Sequence, residues 1–260
     1  MINADINSSA IYIKQVMKNK EWYENWFDSP YYHILYKNRN GEEAGRFIDN
    51  LLLKLNITKG SSLLDLCCGK GRHSVYLNSL GFRVTGIDLS PQNIRYCKKS
   101  ENDTLTYYVH DMRRLFRTNY FHAILNLFTS FGYFEREHDN DLTIQAAAKS
   151  LRPGGYLIID FMNAWRAAND LIPYHMKQVD GISFHIHKKI ENGFIYKDIT
   201  FSDSGTNYAY REEVKVLLLA HFEQYMKNAG LTIIHTFGNY DLDAFEEQNS
   251  DRLIVVFSKL

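Results

Sequence analysis

Cysteine, proline and net charge are all scarce in this chain of 260 residues, and each shortage removes a class of explanation. Three cysteines, two of them adjacent at Cys67 and Cys68, cannot form a disulfide framework, and none has zinc-site spacing. Four prolines, at 30, 91, 153 and 173, leave no proline-rich linker. The 30 Lys+Arg balance 30 Asp+Glu, so no long-range field draws the chain to a phosphate backbone or an anionic membrane. A nucleic-acid partner is therefore not expected. No apolar run approaches the roughly 18 residues that span a bilayer. The N-terminus has no basic stretch followed by an apolar one, so no signal peptide is expected either. From these absences a cytoplasmic protein without a membrane partner is expected; a monomer or homodimer is expected as well.

What is present is ordinary globular material, 45% hydrophobic and 23% charged, with 14% aromatic residues. Many of the rings fall early: Tyr12, Trp22, Tyr23, Trp26, Phe27, Tyr31, Tyr32 and Tyr36. A helix is predicted over about 9–20, and Asp28-Ser29-Pro30 reads as a turn into another short element. Ala44, Phe47, Ile48, Leu51, Leu52 and Leu55 follow helical spacing.

After Lys59-Gly60, short apolar runs alternate with helical stretches. Strands are predicted at about 62–66, 82–88, 105–109, 122–127 and 155–161, with helices at about 71–80, 91–100 and 137–150. Ser90-Pro91 has the form of an N-cap with proline at the first helical position. Alternation of this kind implies parallel pairing and an α/β, doubly wound sheet. The rhythm breaks after Pro173. Strands at 183–190, 194–201 and 208–217 follow one another, joined at Glu191-Asn192-Gly193 and Asp203-Ser204-Gly205 by turn chemistry. A helix at 219–229 and strands at 231–237 and 252–258 then complete the main sheet. The expected organisation is an N-terminal helical region (1–58), a main domain (59–173 and 217–260) and an antiparallel β insertion (174–216).

Chemistry concentrates after the first strand, in Asp65-Leu66-Cys67-Cys68-Gly69-Lys70-Gly71-Arg72-His73-Ser74. Gly69 and Gly71 let the backbone approach a ligand at the start of the next helix. Asp88, closing the second strand, can accept both hydroxyls of a ribose laid across the carboxyl edge of the sheet. A dinucleotide would want a third glycine for its pyrophosphate, and Ser74 stands there. Asp65 suits a cationic ligand better. These features favour S-adenosylmethionine, a cation without phosphate, over a nicotinamide dinucleotide.

As an ordered set these motifs resemble the class I S-adenosylmethionine-dependent methyltransferases. The set comprises Asp65–Ser74, Gly86-Ile87-Asp88-Leu89-Ser90, His110-Asp111-Met112, Asn126–Phe134 and Leu151-Arg152-Pro153-Gly154-Gly155. The resemblance is clear over about 60–162 and looser over 218–258. It implies a Rossmann-like, mostly parallel seven-stranded sheet. It also implies that Asp65, Cys67, Gly69 and Gly71 border the methionine end of the cofactor. Asp88 would take the ribose hydroxyls and Leu89 would pack on adenine. Asp111 would accept from the exocyclic amine, Met112 would contact the ring, and Asn126 and Leu127 would pass under the methionine. Family members often carry a lid over the cofactor ahead of the first strand, where Tyr32 and Tyr36 stand. The commonest family loop has glycine at the position of Cys67, a change expected to alter packing.

The acceptor side is read from different residues. The fourth-strand exit, Asn126-Leu127-Phe128-Thr129-Ser130-Phe131-Gly132-Tyr133-Phe134, lacks the Asn-Pro-Pro-Tyr grip on a nucleic-acid base. It favours a small-molecule acceptor walled by Phe131, Tyr133 and Phe134, with the sulfonium methyl passed on by in-line displacement. The insertion would cover the same mouth and offer Tyr208, Tyr210 and Arg211. A general base is needed only for a protonated acceptor. The candidates are His33, Tyr133 and Tyr210. Tyr240 and Asp241 are further acceptor-site candidates, and Arg252 is expected in a structural ion pair. His185 and His187 share a strand face but have no third ligand, so no metal is expected. Cys67 and Cys68 are expected to pack and not to react. Two other readings remain beside the methyltransferase: a non-catalytic binding or regulatory protein of the same fold, and a nicotinamide-dependent oxidoreductase.

Overall fold

The computed structural model describes residues 21–37 and 41–260. Tyr12 and the helix expected over 9–20 lie outside them. The elements, in chain order, begin with α1 (Trp22–Phe27), α2 (Pro30–Leu35), α3 (Gly41–Lys54), β1 (Ser62–Leu66) and α4 (Arg72–Ser79). Then come β2 (Arg83–Asp88), α5 (Pro91–Cys97), β3 (Leu105–Val109), β4 (Phe121–Asn126), α6 (Glu137–Ser150), β5 (Leu151–Met162) and α7 (Ala164–Asn169). Strands β6 (Tyr174–Val179), β7 (Ile182–Glu191), β8 (Phe194–Asp203) and β9 (Thr206–Lys215) follow without intervening helices. Helix α8 (Leu219–Ala229) and strands β10 (Leu231–Phe237) and β11 (Arg252–Lys259) close the chain. They divide into two compact units, one of Met1–Asn38 with Leu171–Glu213, the other of Arg39–Asp170 with Val214–Leu260.

The larger unit is built on a seven-stranded sheet in the order β10-β11-β5-β4-β1-β2-β3. Strands β1 to β5 pair in parallel and β11 runs antiparallel to β5 and β10. Successive side chains point to opposite faces, so the apolar strands feed two cores. Leu64, Ile124, Ile159 and Val255 join α6 and α8 residues such as Ile144 and Phe222 in one cluster. Leu63, Leu125, Ile158 and Ile254 join Phe47, Leu51, Leu77 and Ile94 of α3, α4 and α5 in the other. Helix α5 starts where the sequence indicates: Pro91 is its first residue and the Ser90 hydroxyl accepts the Asn93 N–H at 3.0 Å. Helix α8 stops at Gly230, whose φ of 69° is left-handed. Strand β5 begins earlier than expected because Leu151 already pairs with Phe121, ahead of a bulge between Phe121 and Ala123.

The smaller unit is a four-stranded antiparallel sheet, β6-β7-β8-β9. Its three hairpins each carry two residues at positive φ: Asp180-Gly181 (52° and 80°), Asn192-Gly193 (50° and 76°) and Ser204-Gly205 (50° and 79°). Two positive φ values in succession make the two-residue turn that matches strand twist. The first hairpin and β6 are additions to the sequence reading. Strand β6 lies at the sheet edge and buries only Val179, so it shows no clean apolar alternation. Helices α1 and α2 pack on this sheet. Trp26 is fully buried and shares a core with Leu35, Phe184, Ile186, Ile199 and Phe201. Among the described residues no helix is long and apolar enough to cross a membrane.

Candidate functional site

Parallel pairing brings the carboxyl ends of β1 to β5 to one edge of the larger unit, and the acidic residues picked from the sequence gather there. β1 runs into the loop 67–71, which turns through left-handed residues at Cys67 (φ 66°), Gly69 (54°) and Gly71 (76°). A Cβ at Gly71 would lie 2.7 Å from the Tyr107 hydroxyl, so only glycine fits. At Gly69 a Cβ would meet nothing within 4 Å: the loop there faces open space. Cys68 is buried and Cys67 partly so. Burial, and then the charges of Asp88, Asp65 and Asp111, push the Cys67 thiol well above its ordinary pKa, which suits packing and not nucleophilic attack.

Asp65 lies beneath the loop, 2% exposed, and accepts the Ser74 hydroxyl of α4 at 2.5 Å. Burial pushes its pKa up to about 6, with Asp88 adding to the rise and the Ser74 hydrogen bond opposing it. Asp88 ends β2, as expected. One of its oxygens accepts the Gly69 N–H at 2.9 Å, the other the Ser90 N–H at 2.9 Å. Asp111 accepts the Arg113 N–H at 2.9 Å and Arg113 Nη2 at 2.7 Å. Burial works to raise the Asp111 pKa, but these bonds and the Arg113 charge outweigh it and hold the carboxyl below its usual range. Met112 places its sulfur 3.4 Å from that of Cys67. Leu89 is partly buried and Leu127 fully so. Asn126 Nδ2 donates to the carbonyls of Leu66 and Ser130, both at 3.2 Å, while its buried Oδ1 has no partner among the described residues.

The exit of β4 is shaped differently from the sequence reading. Phe131 turns into the core, 1% exposed, against Phe222 and Tyr225. Phe134 is also buried, under the Arg113 guanidinium at 4.8 Å. Of the three expected wall residues Tyr133 alone is partly exposed, and its hydroxyl donates to the Thr129 carbonyl. The rings that do gather beside the exit are Phe128, stacked on His73 at 4.9 Å, and Tyr240, 5.5 Å from Phe128 and 4.6 Å from Phe47. His73 Nε2 faces Arg72 Nη2 at 2.9 Å, and a guanidinium can only donate, so that nitrogen serves as an acceptor.

Arg252 is in an ion pair, as expected, and its partner is Asp160, fully buried in β5. Asp160, Arg252 and Phe128 escaped the sequence reading as parts of one arrangement. The signal for Asp160 was present, since an acid closes the apolar run Leu157-Ile158-Ile159 as Asp88 closes β2.

The remaining candidates belong to the smaller unit. The Tyr36 hydroxyl and Trp26 Nε1 both donate to Glu212 at 2.7 Å, and Lys197 pairs with the same carboxylate at 3.3 Å. Tyr32 packs edge-on to Trp26, and the His33 ring lies 5.4 Å from that of Tyr32. Tyr208 and Tyr210 stack on Phe201, whereas Arg211 pairs with Asp198 through two bonds of 2.5 and 3.0 Å. Neighbours along a strand face opposite ways, so Tyr210 and Arg211 do not converge on one ligand. His185 and His187 both contact Tyr174, and no cluster of three or more metal-ligating side chains occurs among the described residues.

Residues 63–155, which contain the loop, Asp88, Asp111 and Asn126, match the family described as "Methyltransferase domain". That stretch is a methyltransferase domain, of the class I S-adenosylmethionine-dependent kind. A dTDP-3-amino-3,4,6-trideoxy-alpha-D-glucopyranose N,N-dimethyltransferase of Streptomyces venezuelae is 24% identical over 204 residues, 75% of this chain and 84% of that protein. A solved S-adenosylmethionine-dependent methyltransferase from Clostridium acetobutylicum superposes with a TM-score of 0.76 at 18% identity, over 88% of this chain and 96% of that one. CalS10, an amino pentose methyltransferase from Micromonospora echinaspora solved with S-adenosylmethionine bound, superposes at 0.68 and 15% identity, over 89% and 98% of the two chains.

The donor set of this methyltransferase fits its cofactor. Gly69 opens the loop toward free space, and the acids at the edge would repel a pyrophosphate and attract a sulfonium and an amino group. The orphaned Asn126 Oδ1 adds a neutral acceptor at the same edge.

Proposed function

We propose that the methyltransferase acts on a small molecule, and specifically on the amino nitrogen of an amino sugar carried on a nucleotide, by in-line displacement. The observation that carries this reading is the 204-residue likeness to the aminosugar N,N-dimethyltransferase, which extends well past residues 63–155 into the part of the chain outside the cofactor-binding motifs. S-adenosylmethionine, when bound, supplies an electrophilic methyl group, so the protein has mainly to align an acceptor and exclude water. Asp88 would hold the ribose hydroxyls, and Leu89, Met112 and Asp111 would hold the adenine. Asp65, Asn126 and Leu127 would hold the methionine end. At the β4 exit, Tyr133 commits its proton to the Thr129 carbonyl, leaving its oxygen to accept an N–H of the acceptor and orient the nitrogen.

Incubation with S-adenosylmethionine and a panel of nucleotide-linked 3-amino and 4-amino sugars, read by mass spectrometry, tests the reading. Mono- and dimethylated sugar products are expected. Binding of S-adenosylhomocysteine without a product from any amino sugar, and with product from a phenol or carboxylate panel, would transfer the acceptor to another class.

A further inference from the structure

The chain leaves β4 through two successive non-glycine residues in the left-handed region, Phe128 and Thr129, both at φ 57°. L-residues avoid this conformation, and a pair of them in a row persists only when the surroundings impose it. Here one residue of the neighbouring strand does so. Asp160 Oδ2 accepts the Phe128 N–H at 2.7 Å, and its own backbone carbonyl accepts the Thr129 N–H at 2.9 Å. Arg252, at the start of β11, reaches across β5 to complete the arrangement. Its Nε donates to Asp160 Oδ1 at 2.8 Å and its Nη2 to the Thr129 hydroxyl at 3.0 Å. Tyr240 closes the far side, its hydroxyl 3.4 Å from Asp160 Oδ2.

An enclosed ion pair is a costly way to join two strands, and a well-packed apolar contact would join them as well or better. What this pair provides that an apolar contact cannot is a side-chain acceptor for the Phe128 N–H and a donor for the turn hydroxyl, beside the Asp160 backbone carbonyl that holds the Thr129 N–H. The turn lies one residue beyond Asn126-Leu127 and carries Thr129, whose carbonyl receives the Tyr133 hydroxyl. Its shape therefore sets where Tyr133 points.

We propose that Asp160 and Arg252 are positioning residues for methyl transfer: they clamp Phe128-Thr129 in a left-handed turn and thereby fix the β4 exit against which the acceptor nitrogen is aligned. The inference rests on the reading that the acceptor meets the β4 exit. Neither residue needs to touch cofactor or acceptor. A displacement of about 1 Å at an aligned centre costs up to about 100-fold in rate, so a loosened turn is legible in turnover.

The test compares wild type with Arg252→Lys, Arg252→Met, Asp160→Asn and the double variant Arg252→Met/Thr129→Gly. It follows hydrogen exchange at the Phe128 and Thr129 amides, calorimetric affinity for S-adenosylhomocysteine, and kcat and KM with the amino-sugar acceptor. The conservative Arg252→Lys keeps the buried charge compensated should Arg252→Met fold poorly. Expected are an about tenfold or greater loss of exchange protection at both amides and a kcat/KM lower by about 10- to 100-fold. Affinity for S-adenosylhomocysteine should stay within about threefold, because the Asp88 side of the loop is untouched. Thr129→Gly should restore much of the lost turnover, since glycine adopts the turn unaided.

Unchanged protection in the Arg252 variants overturns the clamp. So does a loss of turnover that merely follows the loss of S-adenosylhomocysteine affinity, or one that glycine does not recover. If the wild-type enzyme methylates no amino sugar, the acceptor reading fails on its own account. The exchange measurement then still decides the clamp, with lost protection at unchanged S-adenosylhomocysteine affinity supporting it.

Discussion

Asp88 and Gly69, one at the end of β2 and the other in the middle of the glycine loop, are joined by a 2.9 Å hydrogen bond from the loop N–H to the carboxylate. With the second oxygen held by the Ser90 N–H, the carboxylate is fixed in plane before any ligand arrives. A carboxylate oxygen can accept more than one hydrogen bond, so a group held in this orientation suits a pair of ribose hydroxyls.

Asp88→Ala removes both of those acceptors and the anchor of the loop. Hydrogen bonds to a charged group contribute about 1.5–3 kcal/mol each, so affinity for S-adenosylhomocysteine should fall by about 100-fold or more. Asp88→Asn keeps one carbonyl oxygen and should lose about tenfold. Titration calorimetry on the three proteins reads both values, and retained affinity in the alanine variant would sink the ribose assignment.

The sheet was legible because its strands are short apolar runs between well-marked helices, and because Ser90-Pro91 and Gly230 mark helix ends chemically. Asp88 was legible for a related reason: an acid at the end of an apolar strand has few structural uses. The β4 exit was not. Whether Phe131 faces a pocket or the core depends on the positive φ of Phe128 and Thr129, and those depend on Asp160 and Arg252, which are far away in sequence. The Trp26–Glu212 bond was hidden likewise, since it joins residues 186 apart. Local pattern gives the elements and the strand ends. Loop geometry set by distant partners needs the structure.

Burial at Asp65 makes a prediction about pH. Its pKa of about 6 stands above the ordinary 3.8, so between those values the folded chain holds a proton that the unfolded chain has released. Stability from this group is therefore greatest below pH 4 and declines as pH rises from 4 through 6, by about 3 kcal/mol in all. Asp65→Asn keeps an acceptor for Ser74 and should lack this decline, as denaturant unfolding at pH 4.5 and 7 would show. An amino group near Asp65 favours the ionised carboxylate. Wild-type affinity for S-adenosylmethionine should then rise about tenfold from pH 5 to 7.5, with no such rise in the variant. A parallel rise in both proteins would place the amino group elsewhere.

In the smaller unit one carboxylate carries three donors. Glu212 receives Trp26 Nε1 and the Tyr36 hydroxyl at 2.7 Å and pairs with Lys197 at 3.3 Å, with both charged side chains less than a fifth exposed. Glu212→Ala removes the acceptor shared by Trp26 Nε1 and the Tyr36 hydroxyl and leaves the Lys197 amine, which also donates to the Tyr36 hydroxyl, without its counter-charge; for a pair this enclosed the loss costs about 3–5 kcal/mol. Glu212→Gln keeps an oxygen for Trp26 or Tyr36 and loses only the charge, at about 1–2 kcal/mol. Because α1 and α2 pack on the antiparallel sheet through these same rings, the loss should appear first in this unit. Amide exchange should then rise across 22–36 and 182–201 in the alanine variant while β1 and β4 stay protected. Equal exchange across both sheets would mean that the two units unfold together and that Glu212 contributes to the whole fold.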